Sequence, residues 1–91
     1  MTDRYTVVIE QGVLKGLRKM NGSVRRLILS YIRSRLEGTT NPRALGRSIG
    51  GDKSGLWRYR VGDYRVLARI DDAQVIIYAF RIGHRRDLCR D

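Results

Sequence analysis

The sequence predicts an α+β fold: strand, helix, helix, then an antiparallel three-strand meander, with the helices on one face of the sheet. Three observations carry this. Apolar residues alternate near the start, recur at helical spacing through two central segments, and alternate again in three runs separated by tight turns. The length of 91 residues suits one domain over positions 1–91.

Residues Arg4 to Glu10 place Tyr5, Val7 and Ile9 on one side and Thr6 and Val8 on the other, a β-branched and aromatic pattern that reads as a strand. Gln11 to Met20 sets Val13, Leu14, Leu17 and Met20 at helical spacing, weakened by Gly12 and Gly16 and stopped by Asn21-Gly22. A second helix starts from Ser23 as N-cap. Val24, Leu27, Ile28, Tyr31, Ile32 and Leu36 form its apolar stripe, and Gly38 ends it. Such a stripe is core, so no function is assigned to it. Thr39 to Ser54, with Asn41-Pro42, Gly46 and Gly50-Gly51, reads as a loop with room for one helical turn near Ala44 and Leu45. Strands follow at Leu56 to Val61, Tyr64 to Ile70 and Gln74 to Ile82, joined by turns at Gly62-Asp63 and Asp71-Asp72-Ala73.

Nineteen Lys and Arg against nine Asp and Glu give a formal charge of +10. So large a basic excess on so small a body favours a polyanionic partner, with nucleic acid first and an anionic membrane or acidic protein behind it. The 42% hydrophobic content excludes an acidic disordered chain. Cys89 is the lone cysteine and the first residues lack an apolar signal core, so a cytoplasmic protein without an internal disulfide is expected. No apolar run approaches the roughly 20 residues that span a bilayer. The sequence shows no metal-ligand spacing and no phosphate-cradling glycine loop, so neither metal nor cofactor is expected.

The arginines are distributed unevenly. A two-residue turn at Gly62-Asp63 sets Arg60 opposite Arg65 and Arg58 opposite Leu67. Arg58, Arg60, Arg65 and Arg69 then share one face, and Trp57, Tyr59, Val61, Tyr64, Val66 and Ala68 share the other. Like charges across a sheet destabilise it, so folding alone does not call for Arg60 beside Arg65, whereas a bound phosphate removes the conflict. Guanidinium engages phosphate oxygens in a fork and keeps its charge, but it is a poor general base. If odd-numbered residues of the last strand share this face, Arg81 and Arg85 join the patch and Ile76, Tyr78, Phe80 and Ile82 go to the core. A one-residue slip would instead point Tyr78 and Phe80 at the arginines, and the first option is preferred.

The stretch Gly55-Leu56-Trp57-Arg58-Tyr59-Arg60-Val61-Gly62-Asp63-Tyr64-Arg65-Val66, with Ile82-Gly83-His84-Arg85-Arg86-Asp87, resembles the RelE/ParE toxin superfamily over nearly the whole chain. For a RelE-type member the resemblance implies a microbial-RNase-like fold that enters the ribosomal A site and promotes attack of an mRNA 2′-hydroxyl on the adjacent phosphate. It also implies an acidic, RelB-like antitoxin encoded by a neighbouring gene, with operator DNA bound only through the antitoxin complex. Arg65 and Arg85 match the arginines that polarise the scissile phosphate. Arg58 and Arg60 stand where well-studied members carry lysines, and Cys89 aligns with the family's C-terminal tyrosine. Arg81, Arg86 and Cys89 complete the candidate RNA contacts, and His84 is a candidate acid or base. The shared hairpin leaves two alternatives: a ParE-like toxin that poisons DNA gyrase, and an inactive homologue that only binds its antitoxin.

Overall fold

The computed structural model describes residues 3–51 and 55–86. The first strand, β1 (Thr6–Ile9), leads directly into α1 (Gln11–Lys19). The Glu10 carboxylate accepts from the Val13 N–H at 2.9 Å and caps α1, while Arg18 and Lys19 lie in its last turn, where cations suit the helix dipole. The next helix, α2 (Gly22–Tyr31), is capped by Asn21 rather than Ser23, the Asn21 side chain accepting from the Ser23 N–H at 2.9 Å. That side chain also accepts from the Ser23 hydroxyl at 2.6 Å, so the expected cap is itself tied to the residue that does the capping.

A π-helical turn, Ile32–Leu36, extends α2 and ends with the Glu37 N–H donating to the Ile32 carbonyl at 2.8 Å. It keeps Ile32 and Leu36 buried, in line with the expected stripe. Beyond it the chain is stitched to β1: Gly38 N–H donates to Tyr5 O at 2.8 Å and Tyr5 N–H to Thr39 O at 2.9 Å.

The sheet holds five strands in the order β1-β5-β4-β3-β2, where β2 is Arg47–Ser48, β3 is Leu56–Val61, β4 is Tyr64–Asp71 and β5 is Ile76–His84. The meander β3-β4-β5 is antiparallel as expected, and β1 joins the outer side of β5 in parallel. The expected loop contains β2, two residues paired antiparallel with β3. Such a strand is too short for alternation to reveal it. In the β3–β4 turn Gly62 has φ +61° and Asp63 a negative φ, the type II′ geometry that needs glycine first.

Tyr59, Val61, Val66, Ala68, Ile77 and Ala79 from the sheet pack against Leu17, Ile28, Ile32 and Leu36 from the helical side. Each large apolar side chain so buried contributes roughly 1.5–3 kcal/mol. The last strand departs from the expected alternation. Leu67 pairs with Arg81 but Ala68 pairs with Ala79, so Phe80 is the extra residue of a β-bulge. The odd-numbered Arg81 keeps its expected face. Before the bulge the parity reverses: Ile77 and Ala79 fill the core, Tyr78 is exposed, and Ile76 and Phe80 are half-buried. The sequence pattern assumed one uninterrupted alternation, and a bulge breaks it.

Candidate nucleic-acid interface

The face of the sheet opposite the helices carries the arginines. Directly paired residues project their side chains to the same side, so the register lays out two rows. One runs Arg47, Arg58, Leu67, Arg81 across β2 to β5, and the other runs Arg60, Arg65, Gly83 across β3 to β5. Gly83 leaves the place beside Arg65 without a side chain, a gap flanked along β5 by Arg81 and followed two residues on by Arg85. On this face Gly46, Arg47 of β2, Arg58 and Arg60 of β3 and Arg65 of β4 line a polar pocket of about 390 Å³.

Arg85 is latched to the β3–β4 turn. Its N–H donates to the Asp63 carbonyl at 2.7 Å, and its Nε lies 3.9 Å from Asp63 Oδ1 with both side chains more than half exposed. His84 is paired with Tyr64 in the register, so it stands on the helix side of the sheet. Its ring meets Tyr64 edge-on at 5.3 Å between centroids, and its Nδ1 accepts from the Arg86 N–H at 3.2 Å. The structure therefore brings Arg58, Arg60 and Arg65 together, aligns Arg81 with them, and holds Arg85 at the turn end of the face. Arg86 follows, exposed, after the strand. His84 occupies the other face, and Cys89 lies outside the described residues.

Arg47 is the cation that sequence reasoning missed. It reaches this face because its loop is fastened at several points. Trp57 Nε1 donates to Leu45 O at 2.6 Å, the buried Tyr59 hydroxyl donates to Pro42 O at 2.7 Å, and Ile49 N–H donates to Leu56 O at 3.0 Å. Burial also pushes the Tyr59 hydroxyl well above the usual phenol range, so it remains a donor. Arg43 forks onto the Asp72 carboxylate at 3.0 and 3.1 Å, and the Tyr5 hydroxyl donates to the same carboxylate at 2.6 Å. Arg43, then Tyr5, holds the Asp72 carboxyl below its ordinary value, and Asp72 raises the Tyr5 hydroxyl. At Gly46, φ is +76°, and a Cβ would run into the Arg58 carbonyl oxygen. Only glycine lets the loop lie this close to β3. Gly46 next to an arginine, shortly before a basic strand, was the available sequence signal, but without the pairing partner it reads as a turn.

Chemically, a row of guanidinium groups on one sheet face can bind a phosphodiester and stabilise charge building on its oxygens. It cannot by itself accept a proton at neutral pH. Among the described residues there is no group of three His, Cys, Asp or Glu side chains placed to hold a metal ion, and no helix long and apolar enough to cross a membrane.

Known proteins share this architecture. The model of a family described as the ParE toxin of type II toxin–antitoxin systems (parDE) matches residues 7–88. Toxin RelG of Mycobacterium tuberculosis is 27% identical over 86 residues, spanning 94% of this chain and 97% of RelG. A chain of the toxin–antitoxin complex RelBE2 of the same organism superposes with TM-score 0.76 at 26% identity, covering 90% of this chain and 99% of that one. A chain of the archaeal RelE–RelB complex from Pyrococcus horikoshii gives TM-score 0.68 at 30% identity over 93% of this chain and 97% of its own length.

Proposed function

The chain belongs to the ParE toxin family of type II toxin–antitoxin systems, within the RelE/ParE superfamily, and we propose that it is a ribosome-dependent endoribonuclease that cuts mRNA in the A site. The observation that carries this reading is the pair of arginine rows on one sheet face, with the gap at Gly83 beside Arg65. A phosphodiester seated in that gap lies between Arg65 and the cations Arg81 of β5 and Arg85 just beyond its end. The substrate's 2′-hydroxyl attacks the phosphorus, its proton passes to solvent or a neighbouring base, and the 5′-oxygen leaves with a proton. A 2′,3′-cyclic phosphate and a 5′-hydroxyl result. Arg65 and Arg85 stabilise the charge on the pentacoordinate phosphate, a role in which one preorganised donor is worth on the order of 100- to 1000-fold in rate. Arg58, Arg60, Arg81 and Arg86 hold the flanking strand. Proton transfer by His84 would need its ring to leave Tyr64 for the opposite face, so the arginines carry the larger share of the proposal.

Two relatives were solved as RelB–RelE-type complexes, which supports a RelB-like acidic antitoxin as this toxin's partner. Complementary charge on a body of +10 fits that partner. Operator DNA would then be met through the antitoxin, and the site of action would be the cytoplasm. A second reading, gyrase poisoning, is favoured by the ParE description of the matching family, because one fold serves both activities. Toeprinting of mRNA on programmed ribosomes, run beside a gyrase supercoiling assay, separates them. New mRNA ends within the A-site codon with unaffected supercoiling support the nuclease, and intact mRNA with inhibited supercoiling supports the gyrase poison. Loss of both activities leaves an inactive homologue.

A further inference from the structure

We propose that Asp63, the second residue of the β3–β4 turn, is a positioning residue whose carboxylate holds the guanidinium of Arg85 beside the gap at Gly83. The inference rests on the nuclease reading and adds to it a residue that touches no phosphate itself.

Three observations carry it. First, the β4–β5 register sets Tyr64 against His84 and Arg65 against Gly83, so one further step sets Asp63 against Arg85. The Arg85 N–H donating to the Asp63 carbonyl at 2.7 Å is that step. Residues so paired project to one side, here the side of Arg65, and the two rungs stand about 7 Å apart along the strands. A phosphate at Gly83 can therefore reach both Arg65 and Arg85. Secondly, Arg85 lies just beyond the end of β5, where a long side chain has many rotamers to lose. Asp63 Oδ1 stands 3.9 Å from its Nε, the nitrogen nearest the stem, and the terminal nitrogens can still fork onto a phosphate. Thirdly, a carboxylate beside a phosphate site repels the ligand, so its place here calls for a reason other than binding. Elsewhere among the described residues Glu10, Glu37 and Asp71 accept from backbone N–H groups, and Asp72 takes Arg43 and Tyr5. Asp63 faces the arginine of the site instead. Nor does the turn require it: after Gly62 at φ +61°, asparagine serves a type II′ turn as well as aspartate.

Asp63→Asn keeps the turn and the backbone rung and removes only the charge. At saturating toxin on programmed ribosomes it should cut mRNA about fivefold more slowly than the parent, the ceiling for an exposed ion pair. Ribosomes programmed with mRNA bearing a 2′-deoxynucleotide at the cut site allow binding to be read without cleavage. There its affinity should equal the parent's or exceed it by up to a few-fold, because a repelling charge is gone. In an Arg85→Ala background the same substitution should change the rate by less than about twofold, the mark of two residues acting as one. Independently of cleavage, nitrogen relaxation of Arg85 Nε in the free toxin, read by NMR, should show greater motion in Asp63→Asn than in the parent. A saturated rate for Asp63→Asn equal to the parent's overturns the proposal. So does a rate loss that persists undiminished in the Arg85→Ala background, because Asp63 would then act through another group. Weaker binding with an unchanged saturated rate also overturns it, making Asp63 a substrate contact. If the parent leaves mRNA intact, the nuclease reading fails by itself, and the relaxation still decides the clamp: unchanged Nε motion in Asp63→Asn would remove it.

Discussion

Arg65 and His84 show how far single residues can be read. Alternation from the Gly62-Asp63 turn was enough to put Arg58, Arg60 and Arg65 on one face, and the observed pairing of Arg60 with Arg65 follows it. The same rule applied from Tyr64 assigns His84 to the helix side, but its register partner lay across a turn of unknown geometry and was invisible in the sequence. Val75 is a different case. It has φ +58° in the β4–β5 turn, where its carbonyl accepts from Thr6 N–H at 3.0 Å. A left-handed conformation costs an L-residue about 1–2 kcal/mol, and a β-branched side chain is a poor occupant of it. Asparagine tolerates the conformation, so Val75→Asn should stabilise the fold by about 1 kcal/mol and raise Tm by roughly 4–8 °C. A thermal melt showing an unchanged or lower Tm contradicts this.

At the level of elements, both helices, β1 and the meander were legible because each repeats its own apolar period, about 3.6 residues in a helix and about 2 in a strand, over several residues. The bulge at Phe80, the parallel pairing of β1 with β5, and β2 were not. They depend on which segments meet, and pairing between distant segments leaves no local period. The loop that carries β2 can be tested at two places. Gly46→Ala forces a side chain into the left-handed region and against Arg58 O. The backbone term alone costs on the order of 1–3 kcal/mol, so urea melts should show that loss or more, and a variant as stable as the parent would mean that β2 is not held as described. The Arg43–Asp72–Tyr5 cluster gives a pH signature. The folded Asp72 carboxyl titrates below its unfolded value, so its contribution is present above about pH 4 and is lost as pH falls through the folded value. Because Asp72 and Arg43 are 58% and 37% exposed, the effect is at most about 1 kcal/mol. Chemical denaturation from about pH 6 down to about pH 3 should show the parent losing more stability than Asp72→Asn, and equal slopes would remove the cluster's role.

At the scale of the whole molecule, the charge of +10 sits on a body whose helices cover one sheet face and leave the other to arginine. Composition points to a polyanionic partner, and the proposed nuclease activity makes that partner RNA on the ribosome. Affinity for programmed ribosomes should fall linearly in log K against log salt, with a slope of roughly 0.7 per neutralised phosphate. A flat response would remove the basic face from binding. The central claim is that Arg65 and Arg85 act on the reacting phosphate, and its most direct test is the single-turnover rate of mRNA cleavage on programmed ribosomes at saturating toxin. Arg65→Ala and Arg85→Ala should each lose about 100- to 1000-fold in rate, with the fold and antitoxin binding intact, while Arg33→Ala on the π-helical turn stays within a few-fold of the parent. Rates for both Arg65→Ala and Arg85→Ala within a few-fold of the parent would contradict the account.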